Sequence, residues 1–229
     1  MKKKSLLFYF TKFELALLSS SILLIISAFL IFDRQNYLNL IASLLGVVSL
    51  IFCAKGNPIG EGLIIIFSIF YGIISYAFAY YGEMITYLGM TTPMAIFALI
   101  SWLRNPYNGN HSEVRVNTVK RGEFIFLFFL TVLVSLLFYF ILGALETANL
   151  LVSTLSVTTS FAAVYLTARR SHYFTVAYAL NDLILIILWV CAAFTDISAI
   201  SMVVCFVVFL ANDIYGFTNW QRMKKRQEK

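Results

Sequence analysis

"FALISWLRN", residues 97–105, can be laid over "YGFTNWQRM", residues 215–223, with Trp102 against Trp220. A second pair agrees with it. "YLNLIASLLGVVSL" at 37–50 lies over "TANLLVSTLSVTTS" at 147–160, setting Asn39 on Asn149 and Ser43 on Ser153. These stretches sit in apolar runs long enough to cross a bilayer, which takes about 20 residues per helix. Two like-oriented copies of one helical unit are therefore expected, related by an axis along the membrane normal.

Outward from these stretches, the chain divides into eight expected spans, at 15–32, 37–54, 60–80, 84–103, 123–145, 148–168, 173–194 and 197–219. Spans two to four then correspond to spans six to eight, and span five restores the orientation between them. The expected fold is an all-α polytopic membrane bundle. Residues 1–36 give an extra N-terminal transmembrane helix and 37–106 the first three-helix bundle. Residues 107–146 give a cytoplasmic loop with the linker helix, and 147–229 the second three-helix bundle with a basic cytoplasmic tail.

Composition supports this class. The 229 residues are 61% apolar and only 12% charged, where soluble domains carry roughly a quarter charged residues. A membrane barrel would show alternating segments of about ten residues instead. Cys53, Cys191 and Cys205 lie in apolar runs without metal-ligand spacing and read as packing residues. The opening "MKKKSLLFYFTK" lacks a cleavage-site pattern, so the first apolar run is expected to stay as a helix.

Charge gives the orientation. With eight spans and a cytoplasmic N-terminus, Lys2, Lys3, Lys4, Lys12, Lys55, Arg104, Arg115, Lys120, Arg121, Arg169, Arg170 and the tail from Arg222 share one side. Only Arg34 falls on the other. That bias is the positive-inside pattern. It accounts for the net charge of +6 without nucleic acid as a partner. Asp33, Glu83, Glu146 and Asp196 are expected in outer turns, and "GNPIGEG" at 56–62 reads as a turn. His111 and His172 are expected on solvated cytoplasmic turns, and the Phe-rich span five faces lipid or packing surface.

Two acids fall well inside predicted spans: Asp182 and Asp213, each following an Asn. At ~1.5 Å per residue they lie roughly 13 and 12 Å from their span ends. An ionised carboxylate at that depth costs at least ~2.5–3.5 kcal/mol, so it faces a cavity or a partner. Thr175, Tyr178 and Asp182 share one face of span seven at helical spacing, with Asn181 beside them. On span eight Asn212, Tyr215 and Asn219 form a stripe, from which Asp213 is turned by about 100°. In span four, Pro93 removes a backbone hydrogen bond after Thr91 and Thr92, suggesting a broken helix with Met94 at the break. Amides and tyrosines orient and stack a flat polar solute. The expected substrate-binding set is Thr175, Tyr178, Asn181, Asp182, Asn212, Tyr215, Asn219, Met94 and Thr92, with Asp213 the more structural of the two acids.

Three passages carry a resemblance: "IFYGIISYAFAYYGEMITYLGMTTPMAIFALISWLRNP" at 69–106, "ARRSHYFTVAYALNDLI" at 168–184 and "FLANDIYGFTNWQR" at 209–222. Over spans two to eight the chain resembles the PnuC family of vitamin and nucleoside transporters. The resemblance implies a SWEET-like 3+1+3 fold and facilitated uptake across a bacterial plasma membrane. Nicotinamide riboside is the family's default solute, trapped inside by phosphorylation. Three positions depart from the pattern: Thr175 and Tyr178 stand where riboside carriers show a Trp pair, and Ala95 where a Gln is usual. Deoxynucleoside, thiamine and riboflavin branches are the alternatives. An intramembrane aspartyl enzyme is a further one, although the Tyr-Asp and Gly-x-Gly-Asp contexts of those proteases are missing. No cofactor or metal is implied. The expected partners are a small solute and the lipid bilayer, and a homo-oligomer is compatible with the reading.

Overall fold

The computed structural model describes residues 9–229, so the expectations on Lys2, Lys3 and Lys4 lie outside the described residues. Among the described residues, eight helical segments are long and apolar enough to span a membrane. They comprise α1 (Lys12–Phe32), α2 (Tyr37–Ala54), α3 (Ile59–Ala77), a composite fourth span, α6 (Arg121–Ala144), α7 (Leu150–Ala168), α8 (Phe174–Ala193) and α9 (Ile200–Gln227). The fourth span joins α4 (Tyr81–Ile85) to α5 (Thr92–Leu103) through a π-helical segment, Thr86–Thr91. The expected spans agree with these to within a few residues, except that α9 runs on through the basic tail.

Local chemistry sets the boundaries. Thr11 and Glu14 form a reciprocal capping box at the start of α1, satisfying backbone donors that a helix start leaves open. Pro93 cannot donate to the helix ladder. The break falls just before it as a π turn, where the Thr92 hydroxyl donates to the Tyr87 carbonyl at 2.8 Å. The 104–123 connection contains a hairpin in place of a plain loop: Pro106–Tyr107 pairs antiparallel with Asn110–Val114. Asn108 and Gly109 turn it, both with positive φ, as a two-residue hairpin turn requires.

Packing follows the two halves. α2 packs on α3 and α9, while α7 packs on α8 and α5, so the first helix of each half meets the last helix of the other. Trp102, at the end of α5, donates its indole N–H to the Thr167 carbonyl at 3.1 Å. Trp220, in α9, donates to the Cys53 carbonyl at 2.8 Å. Each of those carbonyls also accepts the N–H of a left-handed turn residue, Arg170 for Thr167 and Gly56 for Cys53. This equivalence sets Cys53 against Thr167, four residues away from the register that matches Asn39 with Asn149. Four residues is about one helical turn, so the slip preserves the buried face and the apolar pattern barely registers it. Asn39 in fact lies within α2 and binds Asp33, whereas Asn149 is the cap preceding α7.

The hairpin connection ties the halves together at one end. Val114 N–H donates to the Gly56 carbonyl and Asn117 N–H to the Arg170 carbonyl, at 2.9 and 3.0 Å. Outside this frame, α1 packs on α9 and α2, and α6 packs on α7. Phe126, Phe128, Phe129 and Phe140 of α6 are exposed, as a lipid-facing surface requires. Gly46 lets α2 approach α9 closely, because an added Cβ there would run into the Phe209 ring.

Three expectations are corrected. Glu83 is wholly buried in α4 instead of marking an outer turn. Glu61 belongs to the first turn of α3, which begins directly after Pro58, and is buried too. His172 sits in the α7–α8 turn but is only 7% exposed, against Tyr173 and near Phe217. Burial and the nearby Lys224 charge lower its pKa.

Candidate functional site

Between the halves lies a cavity lined by α2, α3, the π segment, α8 and α9. The π turn places Tyr87 and Thr91 on its wall, α8 supplies Phe174, Tyr178, Asn181 and Asp182, and α9 supplies Phe206, Phe209 and Asp213. From the first half come Cys53, Glu61 and Phe67. The aromatic rings interlock: Phe67 lies 5.5 Å from Phe209 and 6.0 Å from Tyr87, both edge-to-face.

Among the described residues, three carboxyl groups, from Glu61, Asp182 and Asp213, line this cavity, and no Lys, Arg or His does. Each is at most 4% exposed. Glu61 accepts a hydrogen bond from the Cys53 thiol at 3.4 Å, and one oxygen of Asp182 is buried without a partner. Buried carboxylates without a cationic neighbour are costly. A cation entering the cavity would relieve that cost, and the rings around it present π faces that also attract cations.

Asn181 is held from behind. Its side-chain oxygen accepts from Thr159, Ser160 and Ser156 of α7, at 2.8, 2.9 and 3.4 Å. With the carbonyl saturated, the amide NH2 is the group left for a ligand. Below the cavity, Phe174 packs edge-on to Trp220 at 4.9 Å, and Trp220 lies 5.4 Å from Trp102. This aromatic layer closes the cavity toward the hairpin end, where Val114 and Val119 pack in the same cluster. The free space is small, about 40 Å³, room for a few waters. A nucleoside-sized solute requires the lining rings to move.

Of the residues expected from the sequence, the structure brings Tyr178, Asn181 and Asp182 to this cavity. The α9 stripe faces elsewhere. Asn212 donates to the Ser21 hydroxyl of α1 and to the Val208 carbonyl, at 3.2 and 2.8 Å. Tyr215 donates to Glu14 at 2.7 Å, and Lys55 pairs with the same carboxylate at 3.0 Å. Asn219 donates to the Ala54 carbonyl at 2.7 Å. Thr175 is spent on the His172 carbonyl at 3.0 Å, Thr92 on Tyr87, and Met94 lies off the cavity wall. The stripe shares a face, but that face packs on α1 and α2. The residue 100° away, Asp213, points inward.

Sequence reasoning missed Glu61, Tyr87, Thr91, Phe67, Phe206 and Phe209. Glu61 carried a signal: an acid three residues after Pro58 belongs to the first turn of a helix that the proline starts. The aromatics carried none, since Phe is common on every span.

Comparison with known proteins adds to this geometry. The family model described as "Nicotinamide mononucleotide transporter" matches residues 36–222. The chain is similar to the nicotinamide riboside transporter PnuC of Neisseria mucosa, with 24% identity over 201 residues, covering 86% of this chain and 76% of that one. Its fold is similar to that in a crystal structure of the vitamin B3 transporter PnuC. There the TM-score is 0.84 and the identity 22%, over 95% of this chain and 94% of the other.

Proposed function

We infer the activity from membership: this chain belongs to the nicotinamide mononucleotide transporter family, whose model spans most of its length. It is a multi-pass membrane transporter. The solute we propose is nicotinamide riboside, carried by facilitated diffusion into a bacterial cell. The observation that carries this choice is the cavity with three carboxyl groups and, among the described residues, no basic group. The riboside's pyridinium ring is a permanent cation, so Asp182, Asp213 and Glu61 attract it. A phosphate ester would find no arginine or lysine among the described lining residues to bind it. That favours the riboside over the mononucleotide of the family's description.

In this reading Tyr178 and Tyr87 stack on the ring, and the Asn181 amide donates to an oxygen of the solute. The Trp102–Trp220–Phe174 layer is the inner barrier. Both termini are cytoplasmic, because the basic residues gather at the end that carries α9's tail, as the positive-inside rule requires. Uptake is retained by phosphorylation inside, which turns the solute into an anion that the cavity rejects.

The test is uptake of labelled riboside into proteoliposomes holding this chain alone. Saturable uptake is expected for nicotinamide riboside, with weak competition from neutral deoxynucleosides and from riboflavin. Flux for a deoxynucleoside in preference to the riboside would overturn the choice of solute, and thiamine, also a fixed cation, is the most informative competitor.

A further inference from the structure

At the end of the bundle that carries the basic residues lies a second cleft, of about 530 Å³, sharing no lining residue with the aromatic cavity. Its walls are the 115–118 connection after the hairpin, the Arg170 turn between α7 and α8, and the end of α9. These walls are tied to one another. Asn117 donates its backbone N–H to the Arg170 carbonyl and its side-chain amide to the Arg169 carbonyl, both at 3.0 Å. The Val116 N–H donates to the Gln227 side chain at 2.7 Å.

Three cations line the cleft: Arg115, Arg170 and Lys224. The one carboxylate there among the described residues, Glu228, is 60% exposed and 3.9 Å from Lys224. One edge of the Arg170 guanidinium bonds to the Ser101 hydroxyl at 3.0 Å, while its Nε is buried with no partner among the described residues. Burial, and then the charges of Arg169 and Arg115, lower the pKa of Arg170. Cations are crowded here without an adequate counter-charge.

The turn itself singles Arg170 out. It adopts φ 57, and the equivalent turn in the other half places Gly56 at φ 65. Glycine takes that backbone at no steric cost, and an arginine does not. Backbone geometry therefore gives no reason for the guanidinium, whereas the cleft does.

We propose that this cleft binds a phosphate monoester, specifically a soluble nucleoside monophosphate. Arg115, Arg170 and Lys224 supply charge-assisted donors for the phosphate oxygens, and Asn105, Asn117 and Thr118 offer neutral polar groups to the sugar and base. Val116 is the lone apolar side chain on the lining among the described residues, which favours a soluble ester over a phospholipid. Arg170 also grips Ser101, the neighbour of Trp102, so an occupied cleft braces the inner aromatic layer and slows passage. That consequence rests on the transport reading, and the binding does not.

The test is calorimetric titration of the full chain in phospholipid-free detergent with nicotinamide mononucleotide and, separately, inorganic phosphate. Both are expected to bind, the nucleotide more tightly. Arg115→Gln and Arg170→Gly should each weaken nucleotide binding about tenfold, for the loss of one charge-assisted contact. Arg170→Gly retains the left-handed turn, and Arg115 makes no side-chain bond among the described residues, so both variants should fold. No binding by wild type, or unchanged binding in both variants, overturns the proposal. So does a phospholipid result, in which phosphatidic acid in nanodiscs raises the melting temperature while the nucleotide fails to bind. Riboside flux measured on the same preparations separates the two readings. Flux without nucleotide binding sinks this proposal alone, and nucleotide binding without flux sinks the transport reading alone.

Discussion

Trp102 and Trp220 face each other with ring centroids 5.4 Å apart, and each donates its indole N–H to the first helix of the opposite half. The two bonds lock α5 to α7 and α9 to α2 beneath the cavity. Trp220→Phe keeps most of the ring and deletes one donor, while the Cys53 carbonyl retains its bond from Gly56. A destabilisation of about 1 kcal/mol is expected, measurable as a lower melting temperature in detergent. Trp102→Phe should match it, because Thr167 likewise retains its bond from Arg170.

Asn212 separates fold from function. Its amide joins α9 to Ser21 on α1, outside the cavity. Asn212→Ala should lose about 1 kcal/mol of stability and leave the affinity for riboside within twofold of wild type. Titration calorimetry beside a melting curve distinguishes this from a ligand-binding role, which would do the reverse.

Tyr178 is expected to act through its ring. Tyr178→Phe should bind riboside nearly as wild type does, whereas Tyr178→Leu should lose about 0.5–2 kcal/mol of cation–π attraction. Equal loss in both variants would assign the role to the hydroxyl.

Gly46 is a steric test of the cavity wall. Gly46→Ala puts a methyl group into the space of the Phe209 ring, and Phe209 lines the cavity. Overpacking of this kind costs about 1–3 kcal/mol. Riboside uptake should fall as well, since the displaced ring moves toward the solute's place.

The spans were legible because hydropathy and length alone decide them in a membrane protein. The Trp102–Trp220 match was legible too, since a large indole at each helix end has a demanding role in both halves. The α2–α7 register was not, because a slip of one turn leaves the same face apolar. On α9 the period of 3.6 correctly grouped Asn212, Tyr215 and Asn219 on one face. Which face meets the cavity depends on where α1 packs, and α1 stands outside the repeat. Glu83 was misplaced because a five-residue helix followed by a π turn shifts the start of the fourth span. Glu61 hid in a segment whose glycines and proline read as a turn.

In the proposed reading, the cavity selects a cation through the carboxyl groups of Glu61, Asp182 and Asp213. Nicotinamide riboside and its reduced dihydro form have nearly the same shape, but only the oxidised ring is charged. Calorimetric titration of both into the full chain is therefore the most direct measurement. Wild type should bind the oxidised riboside about tenfold or more tighter than the reduced one, a difference of at least ~1.4 kcal/mol, and Asp182→Asn should narrow that gap. Equal affinities in wild type, or tighter binding of the neutral form, would rule out cation selection by this cavity.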